Sequence, residues 1–195
     1  VVPARQAQHH AEVEAMDLLP GAEDLIRAAN VAGLRLAVAS SSPVDWVGGH
    51  LERRGLIGYF DVVVCRDHVA MTKPDPELYT TAVESLGVAF DHAVALEDSH
   101  HGTVAAKAAG LVCVAVPNRV TAGQDFDAAS LVVDSLERLT IPTLASLSEL
   151  VGFLWVDDVA VDPAAIVPKR WDAPTTVAGL TAAAVYAQEE PRLDV

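Results

Sequence analysis

Met71-Thr72-Lys73-Pro74-Asp75-Pro76-Glu77-Leu78-Tyr79 and, farther along, Ala93-Val94-Ala95-Leu96-Glu97-Asp98-Ser99 decide how this chain is read. The second stretch is a short apolar run that ends abruptly in two carboxylates. A run of that length, closed by polar residues, predicts a buried strand. In the first stretch, prolines on both sides of Asp75 stiffen a loop and hold Lys73 in a fixed place before a helix begins. Adjacent carboxylates at the end of an apolar strand repel each other unless a cation or a basic partner compensates. Hard oxygen donors of this kind suit Mg2+.

Outward from these segments, strand and helix alternate. LRLAVA (Leu34 to Ala39) reads as a strand that closes on Ser40-Ser41-Ser42-Pro43, with Ser42 as N-cap and Pro43 as first helical residue. That helix runs through Trp46, Val47 and Leu51 to Gly55. DVVVC (Asp61 to Cys65) is a second strand, and Asp75-Pro76 starts a helix that Gly87 stops. AVALE is the third strand, followed by a helix from about His100 to Ala109. LVCVAV (Leu111 to Val116) is a fourth strand and SLVVD (Ser130 to Asp134) a short fifth. Upstream, Pro20-Gly21 opens the helix AEDLIRAAN, which ends at Gly33. Apolar strands alternating with helices predict an α/β fold, a parallel sheet covered on both faces. Ligands of such sheets bind at the carboxyl ends of the strands. Ser40, Ser41 and Ser42, then Lys73, then Glu97 and Asp98 stand there. Helix capping explains Ser42 alone; a phosphate cradle of hydroxyls and backbone N–H groups uses all three serines.

The chain has 195 residues and a formal charge of −14, from 13 Lys+Arg against 27 Asp+Glu. Half of it, 51%, is hydrophobic, which excludes an intrinsically disordered chain. The acidity and the lack of a Lys/Arg cluster argue against nucleic acid as a partner. No apolar run approaches a membrane span. Cys65 and Cys113 both sit inside apolar runs and read as small buried hydrophobes, which suits a cytoplasmic setting.

Taken in this order, VASSS, TKPDPELY, LEDSHHG with the helix to AAKAAGL, and VPNRVTAGQDFDAASLVVDSL resemble the haloacid dehalogenase superfamily, in particular its β-phosphoglucomutase-like phosphatase branch. The resemblance covers about Leu18 to Leu139. It implies a HAD-like, Rossmann-like three-layer fold and an aspartyl-phosphate phosphatase acting on small phosphorylated metabolites, sugar phosphates among them. Ser40 matches the second-motif hydroxyl that hydrogen-bonds the phosphoryl group, with Ser41 and Ser42 beside it. Lys73 matches the third-motif lysine, and Glu97 and Asp98 match the fourth-motif acids that hold Mg2+. His100 and His101 fall at positions that vary in the family and read as first-turn helix residues.

The resemblance also implies an Asp-x-Asp pair after a central first strand, lying between the strands that end at Ser40 and Glu97. The one Asp-x-Asp in the sequence, Asp125-Phe126-Asp127, follows a loop rather than an apolar strand. Val156-Asp157-Asp158 ends an apolar run but lacks the spacing. The expectation is therefore a core domain at residues 18–140 without its nucleophile strand, a remnant of a helical cap at residues 1–17, and an extension at residues 141–195 of no assigned role. In that extension, Pro142, Pro163, Pro168 and Pro174 interrupt any regular pattern, residues 146–156 read as helix or strand and residues 176–190 as a helix, with Trp155 and Trp171 as packing anchors. Without a central strand, the two flanking strands expose edges that invite self-association or pair with each other. This exact chain is expected to be inactive. A phosphomutase, or a non-catalytic remnant that binds phosphate and metal, remains open beside the phosphatase.

Overall fold

The computed structural model describes residues 18–154. In chain order these form α1 (Ala22–Val31), β1 (Ala37–Ser40), α2 (Val44–Arg53), β2 (Val62–Cys65), α3 (Glu77–Leu86), β3 (Val94–Glu97), α4 (His100–Ala108), β4 (Val112–Ala115), β5 (Leu131–Val132) and α5 (Ile141–Leu154). All strand pairs are parallel. β1 pairs with β2, Ala37 opposite Val62 and Ser40 opposite Cys65. The second sheet runs β3-β4-β5, with Glu97 opposite Ala115 and Val114 opposite Leu131.

Side chains alternate across these strands, as the two-residue period of a strand requires. Ala37, Ala39, Ala95 and Cys113 point to one face, where α3 (Leu78, Tyr79, Ala82, Val83, Leu86) and α4 (Ala105, Ala106) cover them. The small strand residues let both helices approach closely. On the opposite face α1 straddles the two sheets. Its Ile26 and Ala29 pack with Leu36 and Val38, while Ala22 and Leu25 pack with Val94, Val112 and Val114. α2 joins the first of these groups through Val47 and Leu51, and α5 joins the second through Leu144. The result is a three-layer α/β fold with one apolar layer on each side of the strands.

Among the described residues β1 and β3 do not pair with each other, so of the two outcomes foreseen for these strands direct pairing is not the one adopted. Two local expectations need correction. The helix after β1 starts one residue late: Pro43 is its N-cap, and the Ser42 side chain makes no capping bond. Asp67, from the loop after β2, takes the Val44 N–H instead at 2.7 Å. A cap supplied from another loop leaves no local sequence signal. The second correction concerns Pro142, which does not interrupt regular structure. It sits in the first turn of α5, where a missing N–H is tolerated, and Ile141 and Leu144 pack on the core. The residues assigned to the cap remnant, Asp157-Asp158, Trp155, Trp171 and the helix at 176–190 lie outside the described residues.

Cys65 and Cys113 are free and fully buried. Burial, then the charge of Asp67, pushes the Cys65 thiol up to about 11. Burial raises the Cys113 thiol as well, with Glu97 adding to the rise and Lys73 opposing it. Both thiols are protonated at neutral pH and behave as hydrophobes, as their sequence context predicts. No helix among the described residues is long and apolar enough to cross a membrane.

Candidate active site

Lys73 and Glu97 bring the loop after β2 and the carboxyl end of β3 into contact, and the serine run closes β1. At the end of β1, Ser40 is buried and its Oγ accepts the Ser42 N–H at 3.1 Å. That bond uses a lone pair and leaves the Ser40 hydroxyl proton available to a ligand oxygen. Ser41 Oγ is buried and has no hydrogen-bond partner, a second hydroxyl waiting for an acceptor. Ser42 is buried too, with its carbonyl accepting the Arg66 N–H.

The loop after β2 is fixed by more than its prolines. Glu77, the first residue of α3, reaches back to take the Ala70 and Met71 N–H groups at 3.0 and 2.7 Å. Asp75 Oδ1 accepts the Glu77 N–H at 3.0 Å, and the Lys73-Pro74 peptide is cis. The hydrogen bonds of Glu77 and Asp75 brace the loop in which Lys73 turns inward. Its side chain is completely buried and forms an ion pair with Glu97 Oε1.

Glu97, the last residue of β3, is correspondingly crowded. Oε1 accepts from the Lys73 ammonium and the Tyr79 hydroxyl, and Oε2 accepts from Ser99 Oγ at 3.3 Å. The ammonium also lies 4.9 Å from the centroid of the Tyr79 ring, within cation–π range. Glu97 abuts the first turn of α4, whose positive dipole end favours a carboxylate. Gly102 makes this approach possible, since a Cβ there would fall inside the Glu97 carboxylate. Burial first, and then the Glu97 charge, hold the Tyr79 phenol protonated well above its ordinary value of 10.0. Tyr79 therefore acts purely as a donor. Next in the chain, Asp98 Oδ2 accepts from Asn118 Nδ2 at 2.7 Å.

Each polar residue singled out in the sequence thus has a definite place. Lys73 and Glu97 are in contact, Ser99 links Glu97 to α4, and Ser40 with Ser41 lies at the end of β1, in the other sheet. The lysine meets Glu97 as its counter-ion. His100 caps onto the following loop, its Nδ1 at 2.7 Å from the Asp125 carbonyl and its N–H on Gln124 Oε1 at 2.8 Å. Asp125 and Asp127 serve that loop, where Asp125 Oδ1 accepts the Asp127 N–H at 2.8 Å. Tyr79, Gly102 and Asn118 were not singled out by sequence reasoning. Tyr79 sits on the apolar stripe of its helix and reads as core. Asn118 followed by Thr121 does carry a local turn signal, but its contact with Asp98 does not.

Among the described residues no group of three or more His, Cys, Asp and Glu side chains could hold a metal ion. Mg2+ does not require one, because it binds through one or two carboxylates, waters and substrate phosphate. Asp98, oriented by a neutral amide, fits such a role. Glu97 fits it only by sharing a carboxylate already occupied by Lys73, Tyr79 and Ser99.

The parallel three-layer α/β fold thus holds a buried lysine–carboxylate pair between the loop after β2 and the end of β3, with serine hydroxyls at the end of β1. The family pattern described as haloacid dehalogenase-like hydrolase matches residues 2–116, and the chain belongs to that family. YhcW of Bacillus subtilis is 39% identical over 140 residues, 72% of this chain and 64% of that protein. The crystal structure of CbbY from Rhodobacter sphaeroides in complex with phosphate matches with a TM-score of 0.61 at 41% identity, covering 63% of this chain and 56% of that one. A variant of CbbY in complex with xylulose-(1,5)bisphosphate matches with a TM-score of 0.62 at 39% identity, covering 66% and 60%. The chain spans less than two thirds of the length of these relatives.

Proposed function

We propose that this chain carries the phosphoryl-binding part of a Mg2+-dependent phosphatase of small phosphorylated metabolites, sugar phosphates foremost, in a cytoplasmic setting. One observation carries the proposal: a fully buried Lys73 ammonium held beside Glu97 at the end of β3, while the buried Ser40 and Ser41 hydroxyls at the end of β1 have donors to spare. A buried cation and two unspent hydroxyl donors suit a tetrahedral dianion. The solved complexes of CbbY with phosphate and with xylulose-(1,5)bisphosphate support the same ligand class.

In this reading Ser40 and Ser41 donate to phosphoryl oxygens, Lys73 neutralises their charge, and Asp98 with Glu97 holds Mg2+. The ion would supply further charge neutralisation at the phosphoryl group. In the complete family member an aspartate carboxylate forms the bond to phosphorus as the ester oxygen leaves, and water then hydrolyses the aspartyl-phosphate. No Asp in the described strands is placed for that attack, so no turnover is expected from the 195 residues alone.

Thermal unfolding with ligand tests the proposal. Inorganic phosphate with Mg2+ should raise the melting temperature in a saturable way, as any ligand of the folded state does, while p-nitrophenyl phosphate stays unhydrolysed. A shift no larger than chloride gives at equal ionic strength would remove the phosphate site. Hydrolysis would remove the claim that the nucleophile is absent. Phosphate binding without hydrolysis in the native full-length protein would instead favour the non-catalytic remnant.

A further inference from the structure

We infer that Asn118 is the positioning residue for a divalent cation at Asp98, an inference that rests on the proposed role of Asp98. Beyond β4 the chain continues beside the end of β3, with the Val116 N–H on the Glu97 carbonyl at 2.6 Å. That register delivers Asn118 to the flank of Asp98.

The orientation of the Asn118 amide is set by its surroundings. Its Oδ1 accepts two backbone N–H groups, from Val120 at 2.7 Å and Thr121 at 3.1 Å. An oxygen facing two donors leaves the NH2 group to meet Asp98 Oδ2 at 2.7 Å. The turn is closed a second time by the Asn118 N–H on Thr121 Oγ1 at 3.0 Å, and Thr121 is buried. Farther on, Gln124 and the Asp125 carbonyl hold His100. The loop from Asn118 to Asp125 is thus fastened on both sides of the Asp98-Ser99-His100 segment.

An amide is the right donor for this task. It fixes the plane of the carboxylate without cancelling the charge that attracts a cation, as a lysine or arginine in its place would. Partners of this kind set ligand orientation and basicity at metal sites.

Mn2+ binding to the whole chain, read from the loss of the free-ion EPR signal, tests the inference without any activity. Asn118→Ala and Asn118→Ser should each weaken Mn2+ by about ten- to a hundredfold. Serine keeps an acceptor for the Val120 and Thr121 N–H groups, so the turn survives in that variant, but its hydroxyl is too short to reach Asp98. Thr121→Val removes the second clasp of the turn and spares the amide contact. It should lower the melting temperature yet hold the affinity within about twofold. If Asn118→Ser binds Mn2+ as tightly as the parent, Asn118 merely shapes the loop and the inference is overturned alone. If the parent chain takes up no Mn2+, the metal role of Asp98 falls with it.

Discussion

Lys73→Met is expected to lower the melting temperature by about 6–20 °C, the equivalent of roughly 3–5 kcal/mol for a chain of this size. The Lys73 and Glu97 side chains are both fully buried. Removing the ammonium leaves a carboxylate in the interior with only the neutral Tyr79 and Ser99 hydroxyls to compensate it. Breaking such a pair costs far more than the pair contributes when intact, because the surviving charge has already lost its water. The double variant Lys73→Met/Glu97→Gln should therefore recover most of the loss. A glutamine oxygen can still accept the Tyr79 hydroxyl, and no charge is stranded. Thermal or urea unfolding of the two variants settles it. A single variant as stable as the parent, or a double variant no better than the single, would mean that Glu97 is not held as described.

The second large effect opposes helix propensity. In an exposed helix Gly→Ala stabilises by about 1 kcal/mol. Gly102 lies in the first turn of α4, and an added methyl would fall inside the Glu97 carboxylate. That carboxylate cannot swing aside, being tied to Lys73, Tyr79 and Ser99. Overpacking against such a fixed group costs about 1–3 kcal/mol or more, so Gly102→Ala should destabilise. Gly48 in α2 is the internal control, since nothing lies within 4 Å of a Cβ placed there. Gly48→Ala should stabilise by about 0.5–1 kcal/mol. Equal and stabilising effects at both glycines would contradict the packing of Glu97 against α4.

Particular residues show how far the sequence carried these conclusions. Apolar runs located all five strands; β1 and β4 are buried along their whole length, and a strand buried on both faces must be apolar throughout. The polar residues at their carboxyl ends then marked a candidate site, and Lys73 and Glu97, singled out in separate segments, lie in contact. What stayed hidden depends on contacts between segments distant in the chain. Asp67 caps α2 from another loop, so Ser42 looked like the cap. Tyr79 reads as one more apolar residue of α3, since nothing local reveals that its hydroxyl ends on Glu97. Gly102 looks like an ordinary helix glycine until Glu97 is placed beside it. Pro142 looked like a breaker because a first-turn position cannot be told from an interior one until the helix start is known.

Calorimetric titration of inorganic phosphate into the whole chain in the presence of Mg2+ tests the central claim most directly. The parent should bind one phosphate, and Ser40→Ala should bind it about tenfold more weakly, the loss of roughly 1.4 kcal/mol that one hydrogen bond to a charged ligand supplies. Absence of binding by a folded parent chain, or equal affinity in Ser40→Ala, would contradict a phosphate site built from Ser40, Ser41 and Lys73.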